Sequence, residues 1–547
     1  MSHCPANTPE LGSYAPLREF LIFLRNTSQL ATIPQMNQAA PKAVALWWTA
    51  VVAFTLISLW PIWSTRFPPM QDYPQHLLQA KLLASAYGSP SEYTRNFEIR
   101  LQPTYATFYV VTALLSRLTS IETAGKLAIS LYVVLVAFLV VKLQGRASGI
   151  VPCWGALLLF PFMFNQQYFL GNMNYCYALP LVVLALLDFE ELAAQPLTAL
   201  RCARHALWQL ALFVTHAFAF LAFFMLVVVM VISFRHDAAR IRRTAIAIVL
   251  GAVLLYAGIV MVGPSTIVPP TADHPPPAWN WKPVTESLGF CLYMFTGMRW
   301  HDGVDMTVVL LWILLAACVG VAASSMSEGN APGQRTRRYL ALFCVAAAAA
   351  LALPFSVSEY SFINFRIASL AYFLLAVVVA DVRLQRGQTV LFVGLIAAIL
   401  MQSVAKQIRI SHEIAEIAPI IEKIPPNATI LPLVFERTSP DLDPVYFDPH
   451  LKAHNYYHVL VGGGFNPYFW SPPMPMRLKD NLRPPAPNEY YPGLFNWDKH
   501  GIAYGYFLVR GMPMDFAMYL AERAELRAVS GQWQLYARKG SPPANAK

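Results

Sequence analysis

Apolar and polar positions alternate along this chain in long blocks. Apolar runs of roughly 15–20 residues, enough to cross or nearly cross a bilayer, recur from residue 43 to residue 404 with short polar loops between them. They predict membrane-spanning helices at about Ala43–Trp60, Gly125–Val141, Val151–Phe164, Tyr175–Leu187, Thr244–Val262, Met306–Ala323, Tyr339–Leu353, Ile367–Ala380 and Val390–Val404. The run His205–Phe234 is too long for one span and predicts a tight helical hairpin turning near Thr215-His216. The polar stretch after the first span contains two further helical patterns. His76–Tyr87 has apolar residues at helical spacing and reads as an amphipathic helix on the membrane surface. The apolar part of Thr104–Leu118 is only about 14 residues, short for a span, and reads as a second surface helix.

The loop charges orient these elements. Alternate loops carry Lys142/Arg146, Arg201/Arg204, Arg235/Arg240/Arg242/Arg243, Arg335/Arg337/Arg338 and Arg383/Arg386, whereas loops 165–174 and 355–365 contain no Lys or Arg. Lysine and arginine concentrate on the cytoplasmic side of membrane proteins, so the bias predicts about eleven spans, the N-terminus inside, and Asp72 and the C-terminus outside. The expected organisation is a cytoplasmic tail 1–42, a transmembrane domain 43–405 with large outer loops 64–123 and 263–305, and an extracytoplasmic domain 406–547. The tail shows no signal-peptide pattern.

Composition agrees. Only 13% of the residues are charged and 56% are hydrophobic, against about a quarter charged in a soluble protein. The expected class is a polytopic α-helical membrane protein of the inner (plasma) membrane. A formal charge of +10 in a soluble protein would suggest nucleic acid, but here the positive residues sit in loops and set orientation, so no nucleic-acid partner is expected. The seven cysteines are scattered without a CxxC pair, which supports neither a disulfide framework nor a zinc site.

After residue 405 the chain becomes polar and rich in Pro, Tyr and His, with no spanning run. Asn427–Phe435, Tyr504–Val509 and Trp533–Ala537 read as strands and Asp515–Leu526 as a helix, which predicts a small α/β domain. Gly462-Gly-Gly464 lacks the Lys-Ser/Thr of a phosphate loop and reads as a turn.

In so apolar a chain, ionisable groups at the outer face are the candidates for chemistry. The first cluster is Phe67-Pro-Pro-Met-Gln-Asp-Tyr-Pro-Gln-His76, immediately after the first span. If Pro74 opens a helix, Asp72 and His76 point to one side. Asp72 then serves as a base towards an acceptor hydroxyl or amine, or as a helix cap, and the two roles are compatible. Tyr73 adjoins them. The loop Asn165–Asn174 offers Tyr168, Asn172 and Asn174 either to a sugar or to its own turn. His216, at the expected hairpin tip, is a packed residue or a functional group at membrane depth. In Ser358-Glu-Tyr-Ser-Phe-Ile-Asn-Phe-Arg366, Arg366 falls at the outer end of a span, where the charge rule does not place it. Its planar fork of donors suits a phosphate or headgroup, in the polar company of Glu359 and Asn364; the bland reading is a snorkelling anchor.

On these residues the layout resembles the C-type (GT-C) membrane glycosyltransferases that use polyprenyl-phosphate sugars, such as the aminoarabinose transferase-like proteins and mannosyltransferases. Asp72 stands where that family has its acidic motif, Thr215-His216 where some members have a Thr-Lys pair near the lipid phosphate, and Glu359 to Arg366 where they have a late polar loop. Two departures stand out: a single Asp replaces the acidic pair often found, and the second outer loop has Asn172 and Asn174 rather than an Asp. They leave open whether a divalent metal is required. The resemblance implies inverting transfer of a hexose or pentose from a polyprenyl-phosphate donor to a lipid, glycan or protein acceptor of the cell envelope. A transporter or lipid flippase, and a non-catalytic scaffold of an envelope polysaccharide pathway, are the alternatives.

Overall fold

The computed structural model describes residues 39–86, 96–99, 104–146, 152–234, 237–262, 278–294, 298–301, 333–357, 360–444, 447–464, 466–469, 476–479 and 484–540, with single positions between 305 and 316. Glu359, nearly all of the tail 1–42 and most of the expected span Met306–Ala323 lie outside the described residues.

The helices of the first 415 residues include α1 (Ala39–Ser64), α2 (Tyr73–Ala86), α3 (Thr107–Leu115), α4 (Ile121–Arg146), α5 (Met173–Ala194), α6 (Ala199–Thr215), α7 (Ala217–Ser233), α8 (Ala238–Val262), α9 (Gln334–Ala352), α10 (Ile363–Ala380) and α11 (Arg386–Ala415). By length and composition, α1, α4, α10 and α11 are each long and apolar enough to cross a membrane, and α7 is a shorter apolar helix. Helix α1 shows why such elements need lipid. Trp47, Val51 and Phe54 are buried, and the Trp47 indole donates to the Cys153 carbonyl at 3.2 Å, while Leu46, Val52, Leu56 and Trp60 on other sides stay open. Such an apolar exposed face fits acyl chains rather than water. The hairpin breaks where expected: His216 is extended (φ −164°, ψ 111°), ends α6 and caps α7, its ring accepting from the Ala219 N–H.

Two expectations are corrected. The segment 151–164 is not one spanning helix; Trp154–Leu158 is a 3-10 turn followed by a five-residue helix, Leu159–Met163. The pattern that begins at His76 is a helix, α2, but not a surface one, because ten of its fourteen residues are buried. One side packs on α3 and α4, where the Tyr73 hydroxyl lies so close to Gly125 that an added Cβ would come within 2.2 Å. The other side meets the chain beyond α11: Lys81 Nζ donates to the carbonyls of His458 (3.0 Å) and Val459 (2.7 Å), and the Gln79 amide exchanges two hydrogen bonds with the backbone of Met476. Covered on both sides, α2 has no face left for a bilayer.

Beyond α11 the chain forms a four-stranded sheet. Strands β1 (Ile430–Val434) and β2 (Tyr506–Arg510) are parallel; β4 (Trp533–Arg538) pairs antiparallel with β2 and with β3 (Ala524–Ser530), giving the order β3-β4-β2-β1. The helix expected over Asp515–Leu526 runs from Met514 to Ala521, and its expected last turn belongs to β3. Gly462, Gly463 and Gly464 all have positive φ and lie against Asn427 and Ala428, where a Cβ on Gly463 or Gly464 would clash, so this is a tight turn.

Candidate active site

A cavity of about 330 Å³ lies where α2, the Asn165–Asn174 loop, the α6–α7 break, the start of α10 and the chain beyond α11 meet. Asp72, His76, Asn172, Asn174, His216 and Arg366 all line it, so six residues singled out in four separate stretches share one space.

Asp72 precedes α2 and is held by its backbone. The amides of Gln71 and Asp72 donate to the carbonyls of Phe169 (2.9 Å) and Leu170 (3.0 Å), and the Asp72 carbonyl accepts the first helical bond, from His76. Its carboxylate accepts from Gln71 Nε2 at 3.2 Å and from no backbone amide of the helix among the described residues, so the side chain is not spent on capping. Gly171 makes this approach feasible. At φ +88°, it lies so near that a Cβ would sit 2.9 Å from the Tyr73 amide and 3.2 Å from that of Asp72. A side chain in the left-handed region costs roughly 1–2 kcal/mol before any clash. Gly171→Ala is therefore expected to lower the melting temperature and to displace Asp72, which thermal unfolding and a transfer assay on the same preparation would test. An unchanged Tm would contradict this packing.

The electrostatics separate Asp72 from His76. Burial pushes the Asp72 carboxyl up to about 6; Lys452 and the Gln71 amide oppose the shift, and Glu489 and Asp448 add to it. His76 is buried, its Nδ1 is 2.7 Å from the Tyr109 hydroxyl, and burial lowers its imidazole to about 4. At neutral pH, Asp72 is thus largely a carboxylate with a proton affinity suited to a base, and His76 is neutral.

Arg366 is the positive group that α10 brings to the cavity. It stands one turn into α10, after Phe362 at φ +64°. Its guanidinium has no ion pair or hydrogen bond among the described residues, and Nε is buried without a partner. The Tyr175 hydroxyl donates to the Arg366 carbonyl and fixes the turn. His216 packs edge-on against Tyr105 (4.4 Å) and Tyr175 (4.9 Å), and its Nδ1 accepts from the Ala219 amide, so Nε2 is the nitrogen left for a proton or a ligand.

The asparagines do structural work at the cavity wall. Asn174 accepts from the Phe108 amide (2.7 Å) and donates to the Tyr105 carbonyl (2.8 Å), holding Tyr105 at φ +66°; Asn172 donates to Gln167 (2.9 Å). Two expected residues point elsewhere. Tyr73 aims its hydroxyl at Gly125, and Tyr168 donates to Gln407 at 3.2 Å, so neither lines the cavity. Asn364 is buried at the start of α10, accepts from the Phe365 amide and is not at the wall.

Lys452, Glu489 and Tyr490, from the chain beyond α11, also line the cavity and were not singled out in the sequence. Lys452 pairs with Glu489 at 2.5 Å, and burial raises the Glu489 carboxyl while Lys452 opposes the shift. From loop 263–305, Trp279 and Trp281 stack in the open and Arg299 pairs with Asp443 at 2.5 Å; none of the three is at the wall.

No group of three His, Cys, Asp or Glu among the described residues could hold a metal ion. Two carboxylates, Asp72 and Glu489, share the wall with two cations, Arg366 and Lys452.

No protein-family model matches the sequence, and no curated protein matches it. Among solved structures, the chain is similar to ArnT from Cupriavidus metallidurans in the apo state, with 12% identity and a TM-score of 0.45 over 91% of this chain and 98% of that one. It is also similar to the arabinofuranosyltransferase AftD from Mycobacteria, with 12% identity and a TM-score of 0.48 over 90% of this chain and 40% of that one.

Proposed function

We propose that this chain is a multi-pass membrane glycosyltransferase that moves a sugar from a polyprenyl-phosphate donor to an extracytoplasmic acceptor, with inversion at the anomeric carbon. The observation that carries the reading is the pairing, in one cavity, of a partly buried carboxylate (Asp72) with an arginine (Arg366) that has no counter-ion among the described residues. In this reading the cavity lies at the outer face, the chain beyond α11 is an extramembrane domain, and the lipid tail lies between spans.

The chemistry follows from those two groups. An acceptor hydroxyl or amine attacks the anomeric carbon while Asp72 takes its proton. The bond from that carbon to the phosphate oxygen breaks, and the electron pair leaves with the polyprenyl phosphate. The charge that develops on the leaving oxygen is the main quantity to stabilise; Arg366 supplies a fixed positive group, and His216 Nε2–H a neutral donor. His76, neutral and held by Tyr109, orients Asp72 or the acceptor.

The pH profile tests the base directly. Protonated Asp72 cannot accept a proton, so transfer should fall about tenfold per pH unit below about 6 and level off above it. The measurement is release of polyprenyl phosphate from a panel of polyprenyl-phosphoryl sugars by protein in lipid nanodiscs. A rate independent of pH through that window would remove Asp72 as the base.

A further inference from the structure

We propose that Gln71 is the positioning residue for Asp72, a bridge through which the extramembrane domain sets the orientation and charge of that carboxylate. Its amide is used at both ends. Oε1 accepts from the backbone N–H of Asp448 at 2.6 Å, and Nε2 donates to Asp72 Oδ1 at 3.2 Å. A backbone amide can only donate, so the Asp448 contact fixes which end of the Gln71 side chain is oxygen and turns its NH2 group towards the carboxylate. Gln71 itself is buried, and its backbone amide is bound to the Phe169 carbonyl.

The far end of the bridge is equally constrained. Phe447 stacks on Phe169 at 5.5 Å with the rings 20° apart, and the Asp448 side chain pairs with Arg437 at 3.2 Å. The extramembrane domain thus docks on the same loop, 169–171, that accepts the Gln71 and Asp72 amides. Other groups also face Asp72: Lys452, Glu489 and Tyr490 from that domain, Tyr109 from α3 and His76 on its own helix. The carboxylate takes its hydrogen bond from none of these groups among the described residues but from Gln71. A neutral donor bound to the ionised form favours that form, so losing it should make Asp72 harder to ionise.

Two variants separate the two ends of the bridge. Gln71→Glu keeps an acceptor for the Asp448 amide but loses the donor towards Asp72. Gln71→Leu loses both. Infrared difference titration, taking each protein against its own Asp72→Asn double variant in nanodiscs without substrate, reports the Asp72 midpoint. The expected result is an upward shift of about one pH unit for Gln71→Leu and a larger one for Gln71→Glu, where a second carboxylate adds repulsion. An unmoved midpoint in Gln71→Glu, the variant that retains the domain contact, would overturn the proposal.

The consequence for catalysis rests on Asp72 being the base, and the same variants keep the two ideas apart. If the acid limb of the transfer profile moves with the infrared midpoint, both stand. If the midpoint moves and the limb does not, Gln71 still positions Asp72, and it is the role of Asp72 as base that fails.

Discussion

Asp72→Asn is expected to cut transfer by about 10²–10⁴-fold, the usual worth of a positioned general base, with insertion into the membrane unchanged. The substitution is nearly isosteric, and its carbonyl oxygen still accepts from Gln71 Nε2, so the entry to α2 keeps its shape. Stability should not suffer. The Asp72 carboxyl is raised to about 6 in the folded chain, and a raised acid contributes stability at low pH that is lost as pH rises through its folded value. At neutral pH the ionised group is therefore a cost that asparagine removes, and the variant should melt at or above the wild-type temperature. Loss of transfer with Tm maintained marks a chemical role. Full activity would end the assignment, and a collapse of Tm would show that the carboxylate serves the fold.

The second large effect belongs to Arg366. Arg366→Ala should weaken donor use by roughly 10–150-fold, the range for losing hydrogen bonds of about 1.5–3 kcal/mol to a charged group. The loss should fall on the donor and not on the acceptor, because the guanidinium stands on α10, a helix long and apolar enough to cross a membrane, while Lys452 and Glu489 enter from the chain beyond α11. Arg366→Lys should recover only part of it, since an ammonium cannot reproduce a planar fork. No carboxylate relies on Arg366 among the described residues, so the alanine variant leaves no orphaned acid behind. Steady-state kinetics with donor and acceptor varied separately would check this; an unchanged donor dependence would count against the phosphate role.

Much of this arrangement was legible in the residue pattern, because apolar length and loop charge are governed by the bilayer rather than by tertiary detail. The break at His216 follows from a run too long for one span, and Arg366 stood out as a charge on the side where charge is unexpected. What the pattern could not show was direction. Tyr73 adjoins Asp72, but neighbouring helical residues differ by about 100° in direction, and Tyr73 faces Gly125 rather than the cavity. Tyr168 sits in a polar-looking loop whose six residues 165–170 are all buried, and its hydroxyl is taken by Gln407. Lys452 and Glu489 went unseen for a different reason. They stand 37 residues apart in irregular chain, with no local spacing that signals a pair, and only the docking of the chain beyond α11 on α2 brings them to Asp72. The same docking turned α2 from an expected surface helix into a buried one.

The most direct test of the central claim is a cryo-EM reconstruction of the protein in nanodiscs with a short-chain polyprenyl phosphate. The account predicts phosphate density against the Arg366 guanidinium, within the cavity that Asp72 lines, and a tail leaving between the spans. It predicts the same density in Asp72→Asn and none in Arg366→Ala. Density elsewhere on the protein, or density at the cavity that persists in Arg366→Ala, would contradict it.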